Sequence, residues 1–162
     1  MKPSRLRSKS VNTPEEALKA ALRFLGHRAR SEAEITAHLT RKGYSPDLAT
    51  LALGKLRASR YVGDEGFARD WARSRVDDRG YGPLRIEQEL RAKGIDESLI
   101  LETVRECFGG GHEGKKAKQV LEKQFGREKL DDPKTLRRAA AFLQRRGYSE
   151  TVILDLLRVH ED

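Results

Sequence analysis

Gly109-x4-Gly114-Lys115 is the stretch of this 162-residue chain that comes nearest to a catalytic motif. Its spacing is similar to a phosphate-binding loop, in which backbone N–H groups cradle a nucleotide and the lysine contacts its phosphates. That loop also requires a serine or threonine after the lysine, to bind Mg²⁺, and a β-strand before it. Here Lys116 follows the lysine and a helical pattern precedes the loop. The stretch therefore predicts a flexible linker and no nucleotide site.

The histidines, the cysteine and the acidic pairs form no second catalytic pattern. The four histidines are far apart, and none lies at metal-ligand spacing from another histidine or from Cys107. Cys107 lies in an apolar helical segment, which indicates a buried thiol and a reducing compartment. Asp77-Asp78 and Asp131-Asp132 could do acid–base work, but such pairs are also typical of helix ends and caps. We therefore expect no enzyme activity, no metal site and no cofactor.

Basic side chains are the chemistry that remains. Lysine and arginine number 33 against 25 acids, which gives a net charge of +8 and favours acidic partners such as nucleic-acid phosphates. Residues 64–111 are slightly acidic and the flanking segments are basic, so the ends could bind nucleic acid and the centre protein. The candidate contact residues are Arg69, Arg73, Arg79, Arg85, Lys93, Arg137, Arg138, Arg145 and Arg146. A solvated surface of mixed charge is the alternative interpretation for the same residues.

The aromatic residues give little support to base stacking. Most of them lie on apolar helical stripes, and Tyr44 and Tyr148 stand beside glycines where they would hold two helices together. Tyr61 and Tyr81 alone remain as candidates for exposed stacking platforms. Any nucleic-acid binding should therefore be directed at phosphates, through lysine and arginine.

The elements that must position these bases follow a repeat. Leu39-Thr-Arg-Lys-Gly43-Tyr44, Leu90-Arg-Ala-Lys-Gly94-Ile95 and Leu143-Gln-Arg-Arg-Gly147-Tyr148 share one pattern, in which a glycine follows a leucine by four residues and precedes an apolar residue. Each glycine is followed two residues later by a helix-capping residue, namely Ser45, Asp96 and Ser149. Apolar residues recur in register before and after. The pattern predicts a helix, a left-handed glycine corner and a second helix in each copy.

The predicted fold is all-α, with three tandem three-helix (helix-turn-helix-like) repeats, nine helices and no sheet. We expect a disordered basic tail over residues 1–12 and repeats over residues 13–63, 64–111 and 112–162. The Gly109–Gly111 run is the clearest linker, and some play between repeats is expected. The first residues have no apolar run typical of a secretory signal, and no segment reaches the roughly 20 apolar residues of a membrane span. These features favour a cytoplasmic protein that is a monomer and has no membrane contact.

A long ordered motif crosses the second repeat. It begins Tyr61-Val-Gly-Asp64-Glu-Gly-Phe67-Ala68-Arg69 and continues as Arg79-Gly80-Tyr81-Gly82-Pro83-x-Arg85-Ile86-x-x-Glu89-Leu90-x-x-Lys93-Gly94-Ile95. The first repeat adds Leu25-x-x-Arg28-x-Arg30-Ser31-x-x-Glu34-Ile35-x-x-His38-Leu39, and the third matches mainly through its repeat pattern. Over about residues 15–159 the chain resembles the RecX family, bacterial regulators of the RecA recombinase.

The resemblance implies a curved, elongated arrangement of three three-helix units that binds the RecA–DNA filament, along its helical groove. It implies inhibition: blocked filament extension or promoted disassembly, with weaker ATP hydrolysis and strand exchange. It also implies a role in regulating DNA repair and the SOS response. A basic helical repeat protein without a catalytic site agrees with that expectation.

Two other functions remain open from the residues alone. Three short helices with a glycine turn also describe helix-turn-helix modules, so the chain could be a stand-alone DNA-binding protein that contacts single- or double-stranded DNA through phosphates. A sequence-specific repressor would keep its preference at moderate salt, whereas a phosphate binder would lose affinity steeply. A purely structural adaptor would bind neither RecA filaments nor DNA.

Overall fold

The computed structural model describes residues 12–126 and 130–158. In those ranges the chain forms nine α-helices and no strand, which confirms the all-α prediction there. The helices are α1 (Pro14–Leu25), α2 (Glu32–Arg41), α3 (Pro46–Ala58), α4 (Asp64–Arg79), α5 (Pro83–Ala92), α6 (Glu97–Phe108), α7 (His112–Phe125), α8 (Pro133–Arg146) and α9 (Glu150–Arg158). A disordered tail is predicted over residues 1–12, and the first eleven of these residues lie outside the described ranges.

The chain divides into two compact units, the first ending at Gly63 and the second beginning at Asp64. The first unit holds α1–α3 around one apolar core that includes Ala21, Ile35, Leu39 and Leu56. The second unit holds two such cores. One lies among α4, α5 and α6, with members Phe67, Ala72, Ile86, Leu90 and Ile100, and the other lies among α7, α8 and α9, with members Ala117, Leu121, Ala139, Leu143 and Ile153. Each core is therefore built by one trio of helices, as the three-repeat prediction requires.

The leucine–glycine pattern is explained by one helix-ending motif that occurs three times. Gly43, Gly94 and Gly147 have φ of 91°, 73° and 87°, so each adopts the left-handed conformation that the sequence predicted. The apolar residue after each glycine donates its backbone N–H to the carbonyl of the leucine five residues earlier. These bonds run from Tyr44 to Leu39 at 3.1 Å, from Ile95 to Leu90 at 3.1 Å and from Tyr148 to Leu143 at 3.2 Å. This is the Schellman arrangement, which pairs end carbonyls and packs the two apolar side chains together.

The capping residues also lie where the pattern placed them. The Oγ of Ser45 accepts from the N–H of Leu48 at 3.3 Å, and a carboxylate oxygen of Asp96 accepts from the N–H of Ser98 at 3.0 Å. Ser149 accepts from the N–H of Val152 at 3.4 Å. The predicted start of each third helix is thereby confirmed, because each cap pairs a first-turn N–H that the helix itself leaves unbonded.

The second and third repeats are joined by more than the predicted linker. Gly109–Gly111 forms a tight turn between α6 and α7, in which Gly110 and Gly111 have φ of 63° and 81°. Away from that turn, the backbone N–H of Gly82 donates to the carbonyl of Arg146 at 2.7 Å. The N–H of Leu84 donates to the carbonyl of Gly147 at 3.0 Å. The N-terminus of α5 therefore docks directly on the C-terminus of α8.

This backbone contact is too close for any side chain at two positions. A Cβ placed on Gly82 would lie 2.6 Å from the carbonyl carbon and oxygen of Gly147, and a Cβ on Gly147 would lie 2.5 Å from the backbone nitrogen of Arg85. By contrast, a Cβ on Gly43 would meet no atom within 4 Å. Gly43 and Gly147 thus share a conformation, but only Gly147 is also a point of close approach.

Substitution of Gly43 and Gly147 by alanine should separate the cost of the left-handed backbone from the cost of the close contact with Arg85. Gly43→Ala should cost about 1–2 kcal/mol, the usual penalty of a left-handed alanine. Gly147→Ala should cost roughly a further 1–3 kcal/mol, because its Cβ also overlaps the backbone at Arg85. Chemical unfolding of the two variants measures the difference. Equal losses would contradict the docking of α5 on α8.

Gly82→Ala supplies the complementary control. Its φ is −87°, so alanine adds no backbone strain there, and any loss of stability must come from the overlap with Gly147. We expect it to cost roughly 1–3 kcal/mol, less than Gly147→Ala, because it adds the overlap without the left-handed strain.

The first unit contains a stack of two aromatic rings and one guanidinium group. The rings of Phe24 and His38 lie parallel with centroids 4.0 Å apart, and the Arg30 guanidinium lies 3.8 Å from the Phe24 centroid. Loss of solvent, followed by the charges of Lys42, Arg41 and Arg30, lowers the pKa of His38 below its ordinary value. The neutral imidazole is therefore the form that the folded unit favours.

Stability of the first unit should consequently depend on pH. The pKa of His38 is lower in the folded unit than in the unfolded chain. The free energy of unfolding that comes from neutral His38 is therefore fully present above about pH 6.5, and it is lost as the pH falls through the folded pKa. Chemical unfolding followed by circular dichroism at pH 7.5 and 5.5 measures the loss. His38→Phe keeps a stacking ring without a titrating group, and should lose less stability over that interval. Identical losses in both proteins would exclude His38 as the cause.

Candidate functional site

Four of the nine predicted contact residues come together where α5 meets α8. Arg79 ends α4, Arg85 lies in the first turns of α5, and Arg145 and Arg146 end α8. With Asp78, Tyr81 and Phe142 they line a cavity of about 460 Å³, which we name the arginine cleft. The prediction that these arginines contact a partner is not tested by their position, but the fold gathers four guanidinium groups from two repeats into one cleft.

Two of the cleft arginines are held in place by rings and carbonyls. Arg85 lies 4.4 Å over the Tyr81 centroid and donates from Nη1 to the carbonyl of Arg145 at 3.4 Å. Arg146 lies 5.0 Å from the Phe142 centroid and donates from Nη1 to the carbonyl of Arg79, the last residue of α4. A cation at a helix C-terminus is favoured by the helix dipole. The guanidinium groups thus cover ring faces that a base would need for stacking.

Tyr148 supports the floor of the junction. Its side chain is 2% exposed, and its hydroxyl donates to the carbonyl of Gly80 at 3.1 Å. Burial, outweighing the opposing charge of Arg146, raises the pKa of Tyr148 to about 12, so the hydroxyl stays a proton donor near neutral pH. The predicted role of Tyr148 was to hold two helices together, and it does so between two repeats.

A half-buried network extends from the cleft along α4 and α5. Glu89 Oε2 accepts from the indole Nε1 of Trp71 at 2.9 Å and from Nε of Arg75 at 3.0 Å. Glu89 Oε1 lies 3.6 Å from Nε of Arg85, a cleft residue. Arg75 also stacks 4.0 Å over the Trp71 ring, and Lys93 lies 4.8 Å from the same ring. Glu89 therefore orients three side chains at once.

Further basic residues, outside the nine predicted contact residues, lie beside the arginine cleft. A second cavity of about 460 Å³ shares Arg79 and Arg146 with it and adds Lys116 and Lys123 from α7. Arg75 likewise lies outside the predicted set, although its position four residues after Trp71 places the two on one helix face. The sequence signal for Lys116 and Lys123 was their density alone, because nothing local indicated that α7 would lie against the end of α4.

The other predicted contact residues lie apart from the arginine cleft. Nε of Arg69 is 3.3 Å from a carboxylate oxygen of Glu106, and Arg69 lines a separate groove with Arg73. Arg137 donates to the carbonyl of Pro133 in its own helix at 3.1 Å, and Arg138 lies 5.5 Å from the Phe125 centroid. The cleft therefore gathers four of the nine predicted residues, and the groove of Arg69 and Arg73 shares Val76, Asp77 and Lys116 with a cavity beside the cleft.

The described residues contain no group of three histidine, cysteine or acidic side chains placed to bind a metal ion. Burial raises the pKa of the Cys107 thiol, which makes the thiolate less accessible. None of the helices in the described ranges has the length and apolar character needed to cross a bilayer. Among the side chains described here, the arginine cleft brings four of the predicted contact residues together.

The fold and the cleft place this chain in the class of tandem three-helix repeat proteins, which present surfaces and grooves to partners. Three protein-family models match the chain, one after another along the sequence. The first, second and third three-helix domains of RecX match residues 17–56, 64–104 and 113–157. The chain belongs to the RecX family of regulatory proteins.

Relatives and solved structures agree with that assignment. The regulatory protein RecX of Mycolicibacterium vanbaalenii is 37% identical over 155 residues, covering 91% of this chain and 84% of the relative. That of Mycolicibacterium smegmatis is 35% identical over 150 residues, covering 90% and 79%. The crystal structure of RecX from Lactobacillus salivarius has a TM-score of 0.77 at 21% identity, covering 91% of this chain and 96% of that one. The structural likeness supports the fold.

Removal of the Glu89 carboxylate should disturb the cleft, and the fluorescence of Trp71 should show the change. Glu89→Ala leaves the Trp71 indole N–H and the Arg75 guanidinium without their acceptor, so stability should fall by about 1–3 kcal/mol. Trp71 is the single tryptophan of the chain, so its emission should shift to longer wavelength as water reaches the indole.

Glu87→Ala is the matched control, because Glu87 lies on the same helix and pairs with Arg91 at 3.2 Å instead. Its emission spectrum should match that of the parent protein. An unchanged spectrum in Glu89→Ala would mean that Glu89 does not hold the indole.

Proposed function

We propose that this protein regulates a RecA recombinase, mainly as an inhibitor, by binding the RecA–DNA filament and blocking its extension, ATP hydrolysis and strand exchange. The single observation that carries the proposal is membership of the RecX family across all three repeats. Regulation of DNA repair and of the SOS response would follow from that activity. The proposal also places the protein in the cytoplasm, as a monomer.

The mechanism we propose is steric and electrostatic. The chain occupies a groove of the filament, and its cationic side chains engage acidic protein surface or DNA phosphates exposed there. Arg79, Arg85, Arg145 and Arg146 are the strongest candidates among the nine predicted residues, because they share one cleft. Subunit packing and ATP turnover then change through these contacts.

The ring stacking in the cleft favours phosphate over base recognition. Arg85 and Arg146 each cover an aromatic face, so a nucleic-acid strand would meet guanidinium donors before rings. A stand-alone DNA-binding function is therefore the second candidate, and the same cleft favours it.

Inhibition of RecA ATPase on single-stranded DNA tests the proposal. Arg145→Glu reverses an exposed charge of the arginine cleft, and the concentration for half-inhibition should rise roughly tenfold or more. Lys118→Glu makes the same charge change at an exposed position of α7 that does not line the cleft, and should inhibit like the parent.

No inhibition by the parent chain at saturation would contradict regulation of RecA. Equal inhibition by the two charge-reversal variants would leave regulation standing and remove the cleft from the contact surface. Sequence-dependent binding to bare DNA at moderate salt, without an effect on RecA, would support the second candidate.

A further inference from the structure

We infer that the arginine cleft binds one phosphate-class oxyanion that bridges the second and third repeats, and that this anion stabilises their docking. The inference rests on the proposed function only for its choice of cleft, and it is tested in the absence of RecA. The ligand is an oxyanion of the phosphate class, and its binding is coupled to the docking of the two repeats.

The charges across the junction are unbalanced. Arg79 and Arg85 belong to the second repeat, and Arg145 and Arg146 to the third. Asp78 lines the cleft, and one of its carboxylate oxygens already accepts from Ser74 Oγ at 3.0 Å. Glu89 lies 3.6 Å from Arg85 but is shared with Arg75. The four guanidinium charges therefore exceed the acids that face them where the backbones dock, and an anion between the two repeats would offset that excess.

The chemistry of the donors fits a phosphate-type anion. Guanidinium groups present parallel N–H donors that match tetrahedral oxyanions and bind them in bidentate fashion. Two of the four are oriented in advance by Tyr81 and Phe142, so little side-chain entropy remains to be lost on binding. A cavity of about 460 Å³ holds a phosphate or pyrophosphate together with water.

Binding and docking must then be linked. An anion held by arginines of both repeats binds the docked form more tightly than the undocked form, so it shifts the equilibrium towards docking by its differential affinity. The hydrogen bonds from Gly82 to Arg146 and from Leu84 to Gly147 cross the junction directly, and their amide protons report whether it is closed.

Thermal unfolding of the full chain in pyrophosphate, against sodium chloride of equal ionic strength, provides the first test. At roughly ten times its Kd the anion should raise Tm by about 5 °C. Arg145→Ala should lose most of that rise, and Lys118→Ala, which removes the same charge outside the cleft, should keep it. No rise in the parent chain, or equal rises in both variants, would overturn the inference.

Amide hydrogen exchange provides a readout that surface binding alone would not move. Pyrophosphate should slow exchange at Gly82 and Leu84, while the amide of Ile35, which donates to Ser31 within the first unit, should be unaffected. Unchanged rates at Gly82 and Leu84 would overturn the bridging role even if pyrophosphate binds.

A short oligothymidylate distinguishes the two sources of phosphate. If it reproduces the protection at Gly82 and competes with pyrophosphate, the bridging anion is a nucleic-acid backbone phosphate; if pyrophosphate alone protects, it is a free phosphate. Either result supports the inference. If the anion slows exchange at Gly82 and Leu84 but the protein does not inhibit RecA, the proposed function is contradicted and the bridging anion stands. If the protein inhibits RecA but exchange is unchanged, the bridging anion is contradicted and the proposed function stands.

Discussion

The contact that holds the second compact unit together is a pair of backbone hydrogen bonds between the start of α5 and the end of α8. The N-terminus of α5 has backbone N–H groups without partners in its own helix, and the C-terminus of α8 has carbonyls in the same condition. Gly82 and Leu84 donate to Arg146 and Gly147, so each end supplies what the other lacks. The two helix dipoles also meet with opposite ends together. A hydrogen bond contributes about 0.5–1.5 kcal/mol net, but an orphaned buried group costs more, so this docking is specific.

The same contact creates the arginine cleft and charges it. Basic residues in the last turn of α8 are favourable to that helix, which is where Arg145 and Arg146 lie. Arg85 lies in the first turns of α5, where the helix dipole is unfavourable to a cation, and no acid occupies that first turn. Glu89 and Tyr81 offset part of the cost. A local rule broken at the place where repeats join is typical of a functional position.

Local signals predicted much of the fold. The three glycine corners, the caps at Ser45, Asp96 and Ser149 and the apolar stripes all depend on residues within one or two turns of each other. Nothing local distinguishes Gly147 from Gly43, yet one is pressed against Arg85 and the other is open. The cleft escaped prediction for the same reason. Arg85 and Arg145 are distant in sequence, and their meeting is decided by tertiary docking.

One local irregularity of the sequence coincides with the junction. The second helix of the first repeat begins with the capping box of Ser31 and Glu34, and that of the third begins with Asp132, which accepts from the N–H groups of Lys134 and Thr135. The corresponding position in the second repeat is Gly82, which has no side chain to act as a cap. A missing cap in an otherwise regular repeat means that another acceptor must replace it, and the carbonyls of α8 do so. The repeats thus share one folding pattern and differ in what their ends bind. We attribute the cleft to that difference, because the uncapped start of α5 receives the end of α8 and brings its arginines to Arg85.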